Sequence, residues 1–308
     1  VDLDPDKEAI VTIGSKEGLA HLAMATVDRG DAVLVPNPAY PLFDYIARLT
    51  HTESRHYRLE EERGWSIDFE NLEGQIDSRT KAILIISPNN PTGWVASEEE
   101  WKRVGMMAKK YDLAVIHDEV FSEFVFDVGA RFPSPKNEGG EPPLQFTLNG
   151  ISKMFALPSL KLGWIAVSGE SKKVAWAMDQ LETISDTFLS THTPIQQALP
   201  LLFKEGKQFC EQYKKEVTAR RDLAIKILKQ SDKIRFVEPR GGFYLMAEVE
   251  TDLSEEQFVI ELMQKTGVFV HPGYFFDYEK ESRIVISFLV ERERLQKGLT
   301  KLVEFLSL

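Results

Sequence analysis

The feature of this chain that most restricts its fold is a regular alternation of short apolar runs with amphipathic stretches. Six strand-like apolar runs lie at 31–36, 54–59, 81–87, 113–117, 144–148 and 162–168. Between them are helix-like stretches such as SEEEWKRVGMMAKKY at 97–111, where a serine precedes apolar residues of helical period. Strands that alternate with helices in this way predict an α/β domain with a mostly parallel sheet.

The pattern changes near residue 200, which indicates a second domain. Helical sequence runs from about 193 to 230, and two adjacent strand candidates follow at 234–239 and 242–249. A helix, a short strand and a final strand–helix pair complete the chain. We therefore predict a large α/β domain over 1–203 and a smaller α+β domain over 204–308.

Composition and charge exclude several classes of protein and ligand. The 308 residues carry a formal net charge of -11 and contain no run of lysine and arginine, so we expect no nucleic-acid partner. No stretch approaches the roughly 20 apolar residues of a membrane-spanning helix. Cys210 is the only cysteine and has no metal-ligand spacing around it, which excludes an intrachain disulfide and favours a reducing, cytoplasmic setting. The segment 131–143, rich in Pro, Gly and charge, is predicted to be a surface loop.

Four short motifs lie at or just after predicted strands, where parallel sheets place their ligand sites. They are IGSKEGLAHLA (13–23), PNNPTGWV (88–95), HDEVFSEFVF (117–126) and NGISKMFALPSLKLGW (149–164). The first is either a phosphate cradle or a plain helix N-cap at Ser15, and the others taken singly also permit structural interpretations. Lys153 is harder to explain, because four apolar residues follow it and a lysine is rarely buried without a reason. It either extends to water or takes part in chemistry.

Together, the four motifs resemble in order and spacing those of the class I/II aminotransferases, which are fold-type-I pyridoxal-phosphate-dependent enzymes. The family's lysine is followed by a basic residue eight positions on and a glycine two positions later, and Lys153, Lys161 and Gly163 match this motif. The resemblance covers nearly the whole chain. It implies the family's fold, pyridoxal 5′-phosphate as cofactor, an amino acid and a 2-oxo acid as substrates, and a homodimer.

The resemblance also implies roles for individual residues around the cofactor ring. Lys153 would form the Schiff base with the cofactor aldehyde and, once released by substrate, would move the proton between substrate and cofactor. Asp118 would pair with the protonated pyridine nitrogen. Asn90 would hydrogen-bond the phenolic oxygen and contact the substrate, and Tyr40 would stack on the ring.

The remaining implied roles concern the cofactor phosphate and the substrate carboxylate. The phosphate would lie on Ser15 and Lys16, with Ser152 and Lys161 on its other side. The last strand would carry the arginine that binds the substrate α-carboxylate, because a guanidinium binds a planar carboxylate in two-pronged fashion. Arg283 is the candidate for this role.

Two cofactor positions depart from the family pattern. Phe121, three residues after Asp118, stands where the family usually has a tyrosine that hydrogen-bonds the phenolic oxygen. Without that hydroxyl, the lysine-bound cofactor should be harder to deprotonate. At the phosphate, Lys161 replaces the usual arginine and offers a point charge in place of a two-pronged donor.

The last strand and the start of the chain also depart from the pattern. If the strand is aligned on Ser287 and Phe288, Val285 takes the arginine position. Residues 283 and 285 lie on the same face of a strand, so Arg283 could still reach the substrate. Only 13 residues precede Gly14, where relatives usually have several dozen, so we expect a trimmed or shortened start.

Aminotransferase activity is the function that these motifs favour, but three alternatives stay open. A carbon–sulfur lyase or another elimination enzyme would use the same scaffold, because one carbanion can take either path. A cofactor-sensing regulatory module without catalysis belongs to another class, although the chain has no basic helix-turn-helix segment. The last alternative is a doubly wound domain in which Lys153 is purely structural.

Overall fold

The computed structural model describes residues 3–126, 142–278, 280 and 282–307. Within these ranges the chain forms an eight-stranded sheet and a separate four-stranded sheet. The first sheet contains β1 (Ala9–Thr12), β2 (Ala32–Asn37), β3 (Glu53–Glu60), β4 (Ser66–Ile67), β5 (Thr80–Ile86), β6 (Ala114–Asp118), β7 (Gln145–Gly150) and β8 (Gly163–Ser168). The second contains β9 (Ile234–Phe236), β10 (Tyr244–Val249), β11 (His271–Pro272) and β12 (Arg283–Ser287).

The helices fill the intervals that the periodicity predicted. They are α1 (Ser15–Thr26), α2 (Leu42–Thr50), α3 (Phe69–Gly74), α4 (Glu98–Tyr111), α5 (Ile151–Met154), α6 (Ser171–Thr187), α7 (Thr193–Glu205), α8 (Lys207–Leu228), α9 (Glu255–Thr266) and α10 (Arg292–Leu306). The predicted start of α4 is confirmed by a capping box, in which Ser97 and Glu100 satisfy each other's backbone amides.

The large sheet is mostly parallel, as the sequence predicted. Its strand order is β1-β8-β7-β6-β5-β2-β3-β4, with parallel pairing from β7 through β6, β5 and β2 to β3. Strands β8 and β1 at one edge and β4 at the other pair antiparallel. All six predicted runs are strands of this sheet, so the prediction of an α/β fold is confirmed.

Both faces of the large sheet are covered by helices, because successive residues of a strand face opposite sides. Along β5, Ala82 and Leu84 pack with α1, α2 and α6, whereas Ile83 and Ile85 pack with α3 and α4. A strand that is buried on both faces needs a continuous apolar run, which explains the sequence AILII.

The small sheet is antiparallel, in the order β11-β12-β10-β9, and one of its faces packs on α8, α9 and α10. The predicted boundary between residues 203 and 204 falls near the end of α7 and stays a prediction. The predicted surface loop 131–143 lies outside the described residues except for its last two positions.

The loop after β5 is fastened directly to the loop that enters β10. The carbonyl oxygen of Gly93 accepts hydrogen bonds from the amides of Arg240 (2.9 Å) and Gly241 (3.0 Å). Gly93 has φ of 71°, and a Cβ placed there would lie 2.3 Å from Cβ of Pro239. Only glycine allows the two loops to come this close, and their contact joins the two sheets beside the site described next.

Candidate active site

The predicted site residues converge at one edge of the large sheet. Asp118 is the last residue of β6, Asn90 follows β5, and Lys153 lies on α5 immediately after β7. Because β5, β6 and β7 are parallel neighbours, their carboxyl ends meet at the same edge. Ser15 begins α1 close by, since the backbone of Gly163 in β8 passes directly beneath it.

The Asp118 carboxyl is placed in a desolvated position. Its Oδ1 accepts a hydrogen bond from the amide of Val120 at 3.2 Å. Burial raises the pKa of Asp118 to about 6, although the amide of Val120 and the positive charge of Lys153 both act to lower it. A cationic group that bound against this carboxylate would therefore be stabilised strongly.

Lys153 is half-buried, and its environment favours the uncharged amine. Burial lowers its pKa, and the nearby charges of Lys16 and Lys161 lower it further, against the opposing effect of Asp118. Its Nζ lies 5.4 Å from the centroid of the Phe121 ring. The uncharged amine is the form that attacks a carbonyl group.

The start of α1 supplies free donors near Lys153. The structure places Gly14, with φ of 79°, at the N-cap, and Ser15 is the first helical residue, so the interpretation of Ser15 as the N-cap is wrong. No side chain among the described residues caps this helix, which leaves the amides of its first turn available to an anion. A Cβ at position 163 would lie 2.9 Å from the amide nitrogen of Ser15, so glycine is needed for this close approach.

Two exposed lysines and a half-buried serine border the same end of the site. Lys16 extends over Tyr40, with Nζ 5.7 Å from the ring centroid. Lys161 is exposed and has a positive φ of 51°, and Ser152 is half-buried beside Lys153. The structure thus brings the predicted anion-binding residues to the end of the site that the start of α1 occupies.

Asn90 and Tyr40 are adjacent in the site. The amide of Tyr40 donates a hydrogen bond to the carbonyl oxygen of Asn90 at 2.9 Å. The Asn90 side chain has a buried Oδ1 without a hydrogen-bond partner among the described residues. Tyr40 is 45% exposed, so one face of its ring is free to stack.

Arg283 is the predicted residue that the structure does not bring to this site. Its Nη1 pairs with Glu248 and its Nη2 with Glu61, each at 2.7 Å, and the side chain is 5% exposed. Both terminal nitrogens are occupied in a buried ion-pair network, so the expectation that Arg283 binds the substrate carboxylate is not supported. Glu248 is its direct cross-strand neighbour, but no local sequence pattern reveals the register between β10 and β12.

A cavity of about 530 Å³ opens beside Tyr40 and Asn90, and sequence reasoning missed several of its residues. It lies between α2 and the small sheet, which contributes Tyr244 and His271. Both belong to strands that carry no site motif, and β11 is only two residues long. No sequence signal available to us would have identified them.

A family model of aminotransferase class I and II matches residues 1–302, which is nearly the whole chain. The chain belongs to the class I and II aminotransferases. It is 32% identical over 312 aligned positions to LL-diaminopimelate aminotransferase of Dehalococcoides mccartyi, an alignment that covers 100% of the chain and 77% of that protein. It is 31% identical to the glutamate-pyruvate aminotransferase AlaC of Escherichia coli, with 97% and 72% of the two chains covered.

Solved aminotransferase structures have the same fold. Alanine aminotransferase from Pyrococcus furiosus superposes with a TM-score of 0.92 at 26% identity, over 100% of this chain and 78% of that one. An aspartate aminotransferase double mutant from Thermus thermophilus superposes with a TM-score of 0.85 at 26% identity, over 97% of this chain and 76% of that one. This aminotransferase is therefore a fold-type-I, pyridoxal-phosphate-dependent enzyme that transfers an amino group between an amino acid and a 2-oxo acid.

The residues present fit the cofactor of this aminotransferase family. A desolvated carboxyl group suits the ring nitrogen, and the side-chain NH2 of Asn90 is the group that can donate to a phenolic oxygen. The uncapped start of α1 suits the phosphate. Among the described residues there is no cluster of side chains suited to a metal ion, and no helix is long and apolar enough to cross a membrane.

Proposed function

We propose that Lys153 is the residue of this aminotransferase that carries pyridoxal phosphate and moves the proton during transfer between an L-amino acid and a 2-oxo acid. The observation that supports this role is an amine of lowered pKa near the desolvated carboxyl group of Asp118. When bound, the cofactor supplies an electron-withdrawing ring that stabilises negative charge at the substrate α-carbon.

The other residues would hold the cofactor in place and set its protonation. Asp118 would keep a proton on the ring nitrogen, because a cation beside this carboxylate relieves the cost of its burial. Asn90 would use its free side-chain amide toward the phenolic oxygen. Tyr40 would cover one face of the ring with its exposed aromatic surface.

The phosphate would be bound by dipoles and by charge together. The first-turn amides of α1 and the Ser15 hydroxyl would donate hydrogen bonds, and Lys16, Ser152 and Lys161 would surround the remaining oxygens. Since Lys16 and Lys161 lower the pKa of Lys153, a bound phosphate dianion would partly cancel their effect. Phosphate binding and the protonation of Lys153 are thereby coupled.

Lys153 would act at the substrate α-carbon once an incoming amino group has displaced it. Its lowered pKa favours the free amine, which would take the α-proton and return it at the adjacent cofactor carbon. Asp118 stays ionised against the ring nitrogen throughout. An elimination enzyme would need the same first step, so the products decide between these alternatives.

Reconstitution of the Lys153→Ala variant tests the proposal. The wild type should develop the visible absorption band of lysine-bound pyridoxal phosphate, and Lys153→Ala should lack it. Lys172→Ala, which removes an exposed lysine of α6, is the matched control and should keep the band. A band that survives in Lys153→Ala would refute the role of Lys153.

Single-turnover reactions with a panel of amino acids separate the functional alternatives. Transamination should convert the cofactor to its pyridoxamine form without release of ammonia. Ammonia together with a keto acid would indicate elimination instead. A band that no amino acid changes would favour a sensing module without catalysis.

We further propose that the enzyme is a cytoplasmic homodimer. Helix α7 buries none of its described residues, and large apolar side chains are exposed along α7 and just before and after it. They include Leu189, which is 78% exposed, and Leu201, which is 62% exposed. Light scattering should give twice the mass of one chain, and Leu189→Glu with Leu201→Glu should halve it.

A further inference from the structure

The strand that usually carries the substrate-binding arginine supplies no free cation here. Val285, which takes the arginine position in the alignment on Ser287 and Phe288, is 1% exposed and packs in an apolar cluster with Trp65 and Met246. Arg283, two residues away on the same face, is held by Glu248 and Glu61. A substrate carboxylate must therefore be bound by another group.

His271 lies directly opposite the arginine position. In the antiparallel pairing of β11 with β12, His271 is the register partner of Val285. Directly opposed residues of antiparallel strands point to the same face with Cβ atoms about 5 Å apart. His271 also lines the 530 Å³ cavity that Tyr40 and Asn90 border. Its side chain therefore occupies nearly the place from which the arginine would act.

The imidazole of His271 is free to accept a ligand. Neither ring nitrogen has a hydrogen-bond partner in the described parts of the chain, although the residue is half-buried. Three aromatic rings surround it: Phe269 at 5.1 Å, Phe275 at 6.0 Å and Phe276 at 6.4 Å between centroids. Burial lowers the pKa of His271 and so favours the neutral ring, which carries one N–H donor.

Other titratable groups line the same cavity as His271. The titratable side chains that line it from the large-domain side are Tyr40, Asp44, Tyr45 and Arg48. Those from the small sheet and the turn after β11 are Tyr244, Tyr274 and Asp277. On the α9 side, the carboxylate of Glu255 is occupied by the amides of Tyr274 (2.9 Å) and Arg283 (2.7 Å).

Two of these groups bear directly on carboxylate binding. Asp44 is hydrogen-bonded by His56 at 2.9 Å and by Ser54, which satisfies its Oδ1 within the protein. Arg48 has no carboxylate within ion-pair distance among the described residues, and it contacts the ring of Tyr45 at 5.9 Å. Arg48 lies in the last turn of α2, so it is the competing cation at this cavity and the test must include it.

We propose that His271 binds a carboxylate of the amino-acid and oxo-acid substrates, in the place of the arginine that this strand pair lacks. The inference rests on the proposed function, because it assumes that the cofactor is bound at Lys153. A carboxylate beside the imidazole favours its protonated form, so binding takes up a proton. Substrate affinity must then fall as the pH rises above the pKa of the free His271 ring.

The test measures binding of pyruvate and 2-oxoglutarate to the cofactor-loaded enzyme, since oxo acids do not react with its pyridoxal form. In the wild type, the dissociation constants should rise up to tenfold per pH unit above the pKa of His271. The Cε1–H NMR resonance of His271 should titrate at a higher pH with ligand bound than without it. His271→Gln should bind at least tenfold more weakly and without this pH dependence. His271→Arg should restore tight binding that is independent of pH between 6 and 9.

The two oxo acids identify which carboxylate is bound. If His271→Gln loses affinity equally for both oxo acids, His271 binds the carboxylate that they share. If it loses affinity for 2-oxoglutarate alone, His271 binds the distal carboxylate. Either result supports the inference. Unchanged affinity in His271→Gln overturns the inference. It is also overturned if Arg48→Gln loses affinity while His271→Gln keeps it. The visible band of the lysine-bound cofactor must be present in every variant, and its absence from the wild type would refute the proposed function instead.

Discussion

Replacing Asp118 with asparagine is expected to stabilise the cofactor-free protein while weakening its hold on pyridoxal phosphate. The carboxyl group is desolvated, and its pKa is raised from 3.8 to about 6. A raised carboxyl pKa means that the folded state binds more protons than the unfolded state between pH 4 and 6. Stability therefore falls as the pH rises through that interval and stays lower above it.

The magnitude follows from the size of the pKa change. At about 1.4 kcal/mol for each pKa unit, the ionised carboxylate costs the cofactor-free fold about 3 kcal/mol above pH 6. Asparagine has nearly the same shape, and its side-chain oxygen can still accept the hydrogen bond from the amide of Val120. Asp118→Asn should thus raise the free energy of unfolding by about 2–3 kcal/mol at pH 7.5, and the two proteins should become equally stable near pH 4.

Urea denaturation of the cofactor-free proteins between pH 4 and 8 measures this difference. Asp186→Asn removes an exposed carboxylate of α6 and controls for the change in net charge. With pyridoxal phosphate bound the order should reverse, because the wild-type carboxylate gains a cationic partner and the asparagine does not. A cofactor-free Asp118→Asn protein that is less stable than the wild type at pH 7.5 would refute the argument that desolvation dominates at this position.

Two further substitutions test the other departures from the family pattern. Arg283→Met should lower the free energy of unfolding by about 3 kcal/mol, because it leaves the half-buried carboxylate of Glu61 unpaired, whereas Glu248 keeps its partner Arg235. In urea denaturation, adding Glu61→Gln to Arg283→Met should recover part of this loss, and an unchanged stability of Arg283→Met alone would contradict the prediction. Phe121→Tyr should lower the pKa of the lysine-bound cofactor in a visible absorption titration, since the ring lies 5.4 Å from Nζ of Lys153; an unshifted titration would show that the added hydroxyl does not reach the phenolic oxygen.

The large sheet could be predicted because its signals are local. A run such as AILII is long, apolar and bounded by turn residues, and parallel strands flanked by helices leave few alternative arrangements. The ends of β5, β6 and β7 then place Asn90, Asp118 and Lys153 at one edge whatever the details of packing. Strand order therefore predicts that these three residues lie near one another, whereas their individual roles came only from the resemblance to the aminotransferase family.

The features that escaped prediction depend on pairings between distant parts of the chain. Arg283 meets Glu61 across 222 positions of sequence, and no local pattern reveals such a partner. His271 belongs to a two-residue strand that is defined only by its register with β12. At Ser15 the capping preference favoured serine, but the chain needed a left-handed residue one position earlier, which only Gly14 provides without strain.

The contact at Gly93 has a consequence for how the two ends of the reaction centre depend on each other. Asn90, the proposed partner of the cofactor, and Tyr244, which lines the cavity proposed to take the substrate, lie on segments joined through the carbonyl oxygen of Gly93. Any side chain at position 93 would displace Pro239 and carry β10 away from the Asn90 loop. A substitution at position 93, which contacts neither ligand, would then weaken the binding of cofactor and of substrate together. Both affinities would depend on this one backbone contact.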